Sequence, residues 1–292
     1  MAASLPLLHA MPRAIAQTHI DSSISGVQLG LQPFCYHDLP NTPQNRPILI
    51  QRMQQNRLGI VELHAQWIEP RFTGPGIDPA AARQQLRAWR LANGVTAFAA
   101  AKREFDAAGI TVFSIWLNID PSFTDEEIDA VLAATKALGC KGLAGSYGLA
   151  VAARLVPFPA KHGLFIGLHN HDNLSDPDAF SNEESFIKGL ALSPHFKATL
   201  DIRHFTAANG DCISFLQKHW DRMSSVHLGD RRRNNGRSTP FGEGDAPLIE
   251  ILRMIRDNRW PIVALLEFEH GTTRNGVEEV QVAIDYCKRA LA

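Results

Sequence analysis

Eight short apolar runs, each followed by a stretch with helical periodicity, constrain this chain more than any other feature. The runs are Gly26–Gln32, Gly59–Leu63, Ile110–Leu117, Lys141–Ser146, Gly163–His169, Phe196–Asp201, Met223–His227 and Ile262–Glu267. Short apolar runs bounded by Gly, Pro and polar residues read as buried strands. Strands alternating with helices imply parallel pairing through right-handed crossovers. Eight such units in 292 residues predict a closed (β/α)8 TIM barrel of the α/β class, a single domain over residues 24–292. A doubly wound open sheet is the alternative, but no Gly-x-Gly-x-x-Gly follows the first run. Local signals sharpen the helices. Thr124 and Glu127 have capping-box spacing, Leu138-Gly139 supplies a C-terminal glycine stop, and Gly94 predicts a break in the long helix over 80–108.

Charge is balanced at a formal −1, so no general field attracts nucleic acid or an anionic membrane surface. No run reaches the roughly 18 apolar residues of a membrane span. The expected partner is a small molecule, with no nucleic acid and no membrane. Cys35, Cys140, Cys212 and Cys287 are scattered without a CxxC pair, which predicts buried free thiols. Residues 1–23 are set apart from the fold as a tail or the remnant of an export signal, because Ala14-Ile-Ala16 resembles a cleavage site. That leaves two compartments open, cytoplasmic or periplasmic.

The ends of the later runs carry the chemistry. Gly163–Gly167 rises to Leu168-His169-Asn170-His171. The next three runs end in Asp201, His227 and Glu267. In a barrel all strand ends open onto one face, so residues distant in sequence converge there. Two imidazoles and two carboxylates suit Mn²⁺, Zn²⁺, Co²⁺ or Fe²⁺ better than Mg²⁺ or Ca²⁺. His169, Asp201, His227 and Glu267 are therefore the expected ligands of one divalent metal ion.

These stretches resemble the xylose isomerase-like family of sugar isomerases and epimerases. The resemblance covers roughly residues 24–292. It rests on Leu168-His-Asn-His171, Thr199-Leu-Asp201-Ile-Arg-His204-Phe, Val226-His227-Leu-Gly-Asp230, Pro240-Phe-Gly-Glu-Gly-Asp245 and Leu266-Glu267-Phe-Glu269. It implies a barrel, a carbohydrate substrate and one divalent ion, Mn²⁺ first and Co²⁺ or Zn²⁺ next, on the same four residues, often in a homo-oligomer. Two positions depart from the family pattern. Many members carry Glu where this chain has His169, and Lys where it has Gly229. A branch reading His-Asn-His is similar to dehydratases and lyases of keto-sugars, keto-inositols and related polyols.

The expected reaction is proton abstraction next to a carbonyl, through an enediolate that the cation stabilises. Its outcome is isomerisation, epimerisation or elimination. Glu267 and His171 are the expected acid and base, an imidazole titrating near neutral pH. Glu62, His204, Trp116 and Arg231 are expected to contact substrate, with Trp67 as a further apolar wall. Arg231 opens the basic loop 231–237, which could close over an anionic substrate. Two rivals remain: a sugar-binding barrel without turnover, and a metal-dependent apurinic endonuclease that would recruit His37, His64 and His204.

Overall fold

A computed structural model describes residues 19–74 and 76–292. The apolar runs form eight parallel strands: β1 (Val27–Leu31), β2 (Ile60–His64), β3 (Thr111–Trp116), β4 (Gly142–Gly145), β5 (Phe165–His169), β6 (Phe196–Asp201), β7 (Met223–Leu228) and β8 (Val263–Leu266). Each pairs with the next in sequence, and β8 returns to β1 through Leu265 opposite Gly30, so the sheet closes. Helices follow the strands and form the outer layer.

Strand alternation divides the core in two. Side chains facing the helices, among them Leu29, Val61, Leu63, Ile166, Leu168, Leu200, Val226 and Leu266, join one large apolar cluster with the helix faces. Those pointing inward at the barrel floor, Ile60, Val263 and Leu265, pack with Phe113 as a separate plug. Each fully buried Leu or Ile contributes about 1.5–3 kcal/mol. The plug leaves the upper half of the lumen to polar side chains.

Two irregularities aim residues at that upper half. The β2–β3 register slips between Val61 and Glu62, which sets Glu62 opposite Ser114. The β6–β7 register slips between Ala198 and Thr199, after which Asp201 stands opposite His227. Bulges of this kind re-aim side chains beside functional sites.

Several local expectations change. The long helix Pro79–Ala107 is continuous through Gly94. Gly94 is buried against the helix Asp125–Ala137, where an added methyl would lie 3.6 Å from the Ala134 Cβ. Helix packing thus overrides the glycine's weak propensity. The capping box at Thr124 is half formed. Thr124 Oγ1 accepts the Glu127 N–H at 3.2 Å, but the Glu127 carboxylate is taken by Arg83, Arg87 and Arg90. The cysteine expectation holds: all four are buried and free. Just ahead of residue 24 the chain touches the barrel: Ile20 N–H donates to Gly109 O, and Ser22 Oγ donates to Leu29 O. Residues 1–18, where the export-signal expectation falls, lie outside the described residues. Among the described residues no helix is long and apolar enough to cross a membrane.

Candidate active site

His169, Asp201 and His227 lie in the last two residues of β5, β6 and β7, and Glu267 directly follows β8. One potential metal-ligand atom from each lies within 4.8 Å of the others. Neighbouring strands share one inward phase, which brings the four tips together. The chain's own polar groups then lock each one.

Asp201 does two tasks with two oxygens. Oδ1 accepts the His204 N–H at 2.8 Å and caps the helix Ile202–Ala207. Oδ2 faces the cluster, 3.1 Å from Arg203 Nη2 and 3.7 Å from His169 Nε2. Asn170, wholly buried, staples β5 to β6: it accepts the Asp201 N–H at 2.8 Å and donates to Asp201 O at 3.1 Å. His227 is held from both sides. Its Nδ1 lies 2.5 Å from Glu267 Oε2, and its Nε2 lies 2.8 Å from Glu62 Oε1.

Electrostatics follow from this packing. Burial alone would push His227 down, but Glu267 and Glu62 raise it to about 10. Burial opposes ionisation of Glu267, yet His227 and then Arg203 hold it at about 2. Burial likewise disfavours the Asp201 carboxylate, and Arg203 and His204 outweigh it, leaving Asp201 well below the usual range. Burial drops His169 to about 4, so its ring is neutral near pH 7.

The donor set fits a divalent ion. His169 Nε2 is a buried polar atom without a hydrogen-bond partner, and such an atom is costly unless something fills the place. The cluster is an N/O set of two neutral-capable imidazoles and two carboxylates. Glu267 is the most open of the four, with 12 % of its side chain exposed against 0–2 % for the others.

The remaining expected residues are placed as follows. His171 lies at the exposed lip beyond β5, its Nε2 2.7 Å from Ser146 Oγ and its ring centre 4.6 Å from that of His204. Partial burial and the nearby His204 lower its pKa. Trp116 walls the cluster edge-on to His169, with ring centres 4.7 Å apart. Trp67 is fully buried in the main core. His204 meets Asp172 through Nδ1 at 3.1 Å. Arg231 reaches the site already paired: Nη2 lies 2.9 Å from Asp172 Oδ2, Nη1 3.1 Å from His204, and Nε donates to Gly236 O. Its charge is therefore compensated, unlike the free cation expected of a loop closing on an anion. Glu62 departs further from expectation. Its carboxylate is wholly enclosed beneath the cluster, where it accepts from Gln32 Nε2 at 3.0 Å and Ser114 Oγ at 2.6 Å.

Arg203, Asn170, Ser146 and Asp172 were not singled out by sequence. Arg203, 1 % exposed, pairs with Asp201 and with Glu269. The available signal was adjacency, since Asn170 and Asp172 flank His171 and Arg203 lies inside the Asp201 motif. Gly229 also gains a reason. A Cβ there would fall 2.4 Å from Glu267 O and 3.2 Å from the Arg203 Cδ, so the turn after β7 leaves no room for a side chain.

Comparison with known proteins agrees with this architecture. The profile of the xylose isomerase-like TIM barrel matches residues 60–290. The chain belongs to the xylose isomerase-like TIM barrel family. Inosose dehydratase of Lactiplantibacillus plantarum is 27 % identical over 190 residues, covering 59 % of this chain and 57 % of that relative. The chain thus spans little more than half the length of this curated relative. Among solved structures, L-ribulose 3-epimerase superposes with a TM-score of 0.66 at 12 % identity, covering 91 % of this chain and 94 % of the other. The 3-keto-D-glucoside 4-epimerase from E. coli gives 0.62 at 14 % identity, over 90 % and 99 %. At those identities the likeness is one of fold.

Proposed function

We propose that this xylose isomerase-like barrel is a divalent-metal-dependent enzyme that removes a proton next to the carbonyl of a keto-sugar or cyclic polyol ketone. The observation that carries the reading is the convergence of His169, Asp201, His227 and Glu267 within 4.8 Å, with His171 at the lip above them. The relative named for an inosose supports the substrate class, and barrels of the same fold include two named for an L-ribulose and a 3-keto-glucoside.

Those four residues would hold the ion, Mn²⁺ first and Co²⁺ or Zn²⁺ next. When bound, it supplies Lewis acidity that polarises the carbonyl and acidifies the adjacent C–H. The rest is done by side chains. Glu267 is ionised and is the cluster residue open to the lumen, so it takes the proton from the α carbon. His171 at the lip, with its Nε2 on Ser146 Oγ, is the second group to move a proton. Trp116 covers an apolar face of the ring, and His204 and Arg231, fixed through Asp172, bind hydroxyls at the rim.

Proton return to the neighbouring carbon isomerises, return to the other face epimerises, and departure of the β-hydroxyl as water eliminates. The unlike pair favours elimination. With His169 in place of a carboxylate, the second acid–base group is the imidazole of His171, whose lowered pKa leaves it a neutral base near pH 7 that can take up a proton and relay it to a leaving hydroxyl.

The test is metal content of the purified protein beside Asp201→Ala and Glu267→Ala, followed by exchange and water loss in D₂O with ketoses, keto-glucosides and inososes. One ion per chain, lost in both variants, with C–H exchange stopped by His171→Asn or Glu267→Gln, supports the reading. Tight sugar binding without exchange would identify a binding barrel instead. No uptake of any divalent ion would sink the proposal.

A further inference from the structure

Glu62 invites an assignment different from the substrate contact its position in sequence suggests. Its carboxylate is fully enclosed, and every close partner is part of the barrel lumen. Oε2 accepts from Ser114 Oγ at 2.6 Å, and Oε1 accepts from Gln32 Nε2 at 3.0 Å while lying 2.8 Å from His227 Nε2. The register slip at Val61/Glu62 is what sets Glu62 opposite Ser114. Ser114 and Gln32 are themselves buried, so the carboxylate has one allowed position.

His227 has two ring nitrogens, and only one can serve the cluster. Nδ1 lies 2.5 Å from Glu267 Oε2, and Nε2 lies 2.8 Å from Glu62 Oε1, within ion-pair distance though off the line of a hydrogen bond. Metal-ligating histidines usually donate their second N–H to a carboxylate, which fixes the tautomer and the ring plane and raises the basicity of the ligating nitrogen. We propose that Glu62 is a positioning residue of this kind: it holds the proton of His227 on Nε2 and leaves Nδ1 as the ligand atom. Resting on the metal-site reading above, the proposal adds a fifth residue, Glu62, which touches neither ion nor substrate, and a buried Ser114–Gln32 cradle that keeps it in place.

The experiment is titration of the metal-stripped full chain with Mn²⁺ and, separately, Zn²⁺, using wild type, Glu62→Gln and Glu62→Leu. Gln keeps an oxygen beside Nε2 but brings no charge, whereas Leu removes both. Affinity should fall in the order wild type, Glu62→Gln, Glu62→Leu, across about 10–100-fold, with circular dichroism of the folded protein unchanged. A merely structural Glu62 would lower the melting temperature and leave metal affinity alone, and equal affinity in all three proteins would overturn the proposal. If Glu62→Leu fails to fold, ¹⁵N-histidine NMR of Zn²⁺-loaded wild type decides: a protonated Nε2 on His227 supports the assignment, and a protonated Nδ1 overturns it. Wild type that takes up neither ion would overturn the metal-site reading, and the role of Glu62 with it.

Discussion

Gly229→Ala tests whether β7 and β8 are packed as closely as the site requires. The perturbation adds one methyl, whose carbon would lie 2.4 Å from Glu267 O and 3.2 Å from the Arg203 Cδ. The first contact is about 1 Å short of normal carbon separation and involves backbone, which cannot swing aside as a side chain would. Overpacking of a filled core costs about 1–3 kcal/mol. For a chain of this size each kcal/mol moves the melting temperature by about 2–4 °C, so the expected fall is about 2–12 °C. Relief must come from moving the end of β8, where Glu267 N–H donates to Leu228 O at 2.9 Å. Glu267 would then retreat from His227 Nδ1, and divalent-ion affinity should fall together with stability. Gly229→Lys should be worse, because its Cβ meets the same carbonyl and a longer side chain must follow. The assays are thermal melting of the metal-free protein and Mn²⁺ titration. A Gly229→Ala variant that melts within a degree of wild type and binds Mn²⁺ as tightly would refute the argument.

The pH dependence of the metal-free protein has a definite sign. His227 is raised from 6.5 to about 10, so its stabilisation is complete below pH 6.5 and lost as pH rises through about 10. Glu267 is lowered from 4.5 to about 2, so its share is complete above pH 4.5 and lost as pH falls through about 2. Urea midpoints should therefore plateau near pH 4.5–6.5, and His227→Asn should lose part of the alkaline decline; an unchanged decline counts against the ion triad. Asp230, 2 % exposed, accepts the backbone N–H groups of Arg231, Gly242, Gly244 and Ala246. Asp230→Ala should cost about 1–3 kcal/mol and expose residues 231–246 to limited proteolysis, a pattern identical to wild type arguing otherwise. Glu127→Ala takes from buried Arg90 one of its two carboxylate partners and leaves it paired with Glu69 alone. Breaking a buried pair outright costs about 3–5 kcal/mol, so losing one of two partners should cost less than that in urea unfolding, and adding Arg90→Leu should cost more, because it leaves the buried Glu69 carboxylate unpaired; a double variant as stable as wild type would argue otherwise.

The sequence by itself determined the strands, most helix bounds and the four tips. Those features rest on local periodicity and on a topological fact: parallel strands in a closed barrel end on one face. His169, Asp201, His227 and Glu267 could be chosen before any coordinate was known because strand number and phase place them. Depth and pairing were decided only by the tertiary structure. Glu62 and His227 are 165 residues apart in a chain of 292, and no local pattern says that one carboxylate lies beneath the other's imidazole. Arg231 reads as a free cation until Asp172 and His204 are seen beside it. Glu127 reads as half of a capping box until three arginines from another helix claim its carboxylate. In each case the partner comes from a distant segment, so the energy that fixes the side chain is set by the packing of whole elements and leaves no trace in neighbouring residues.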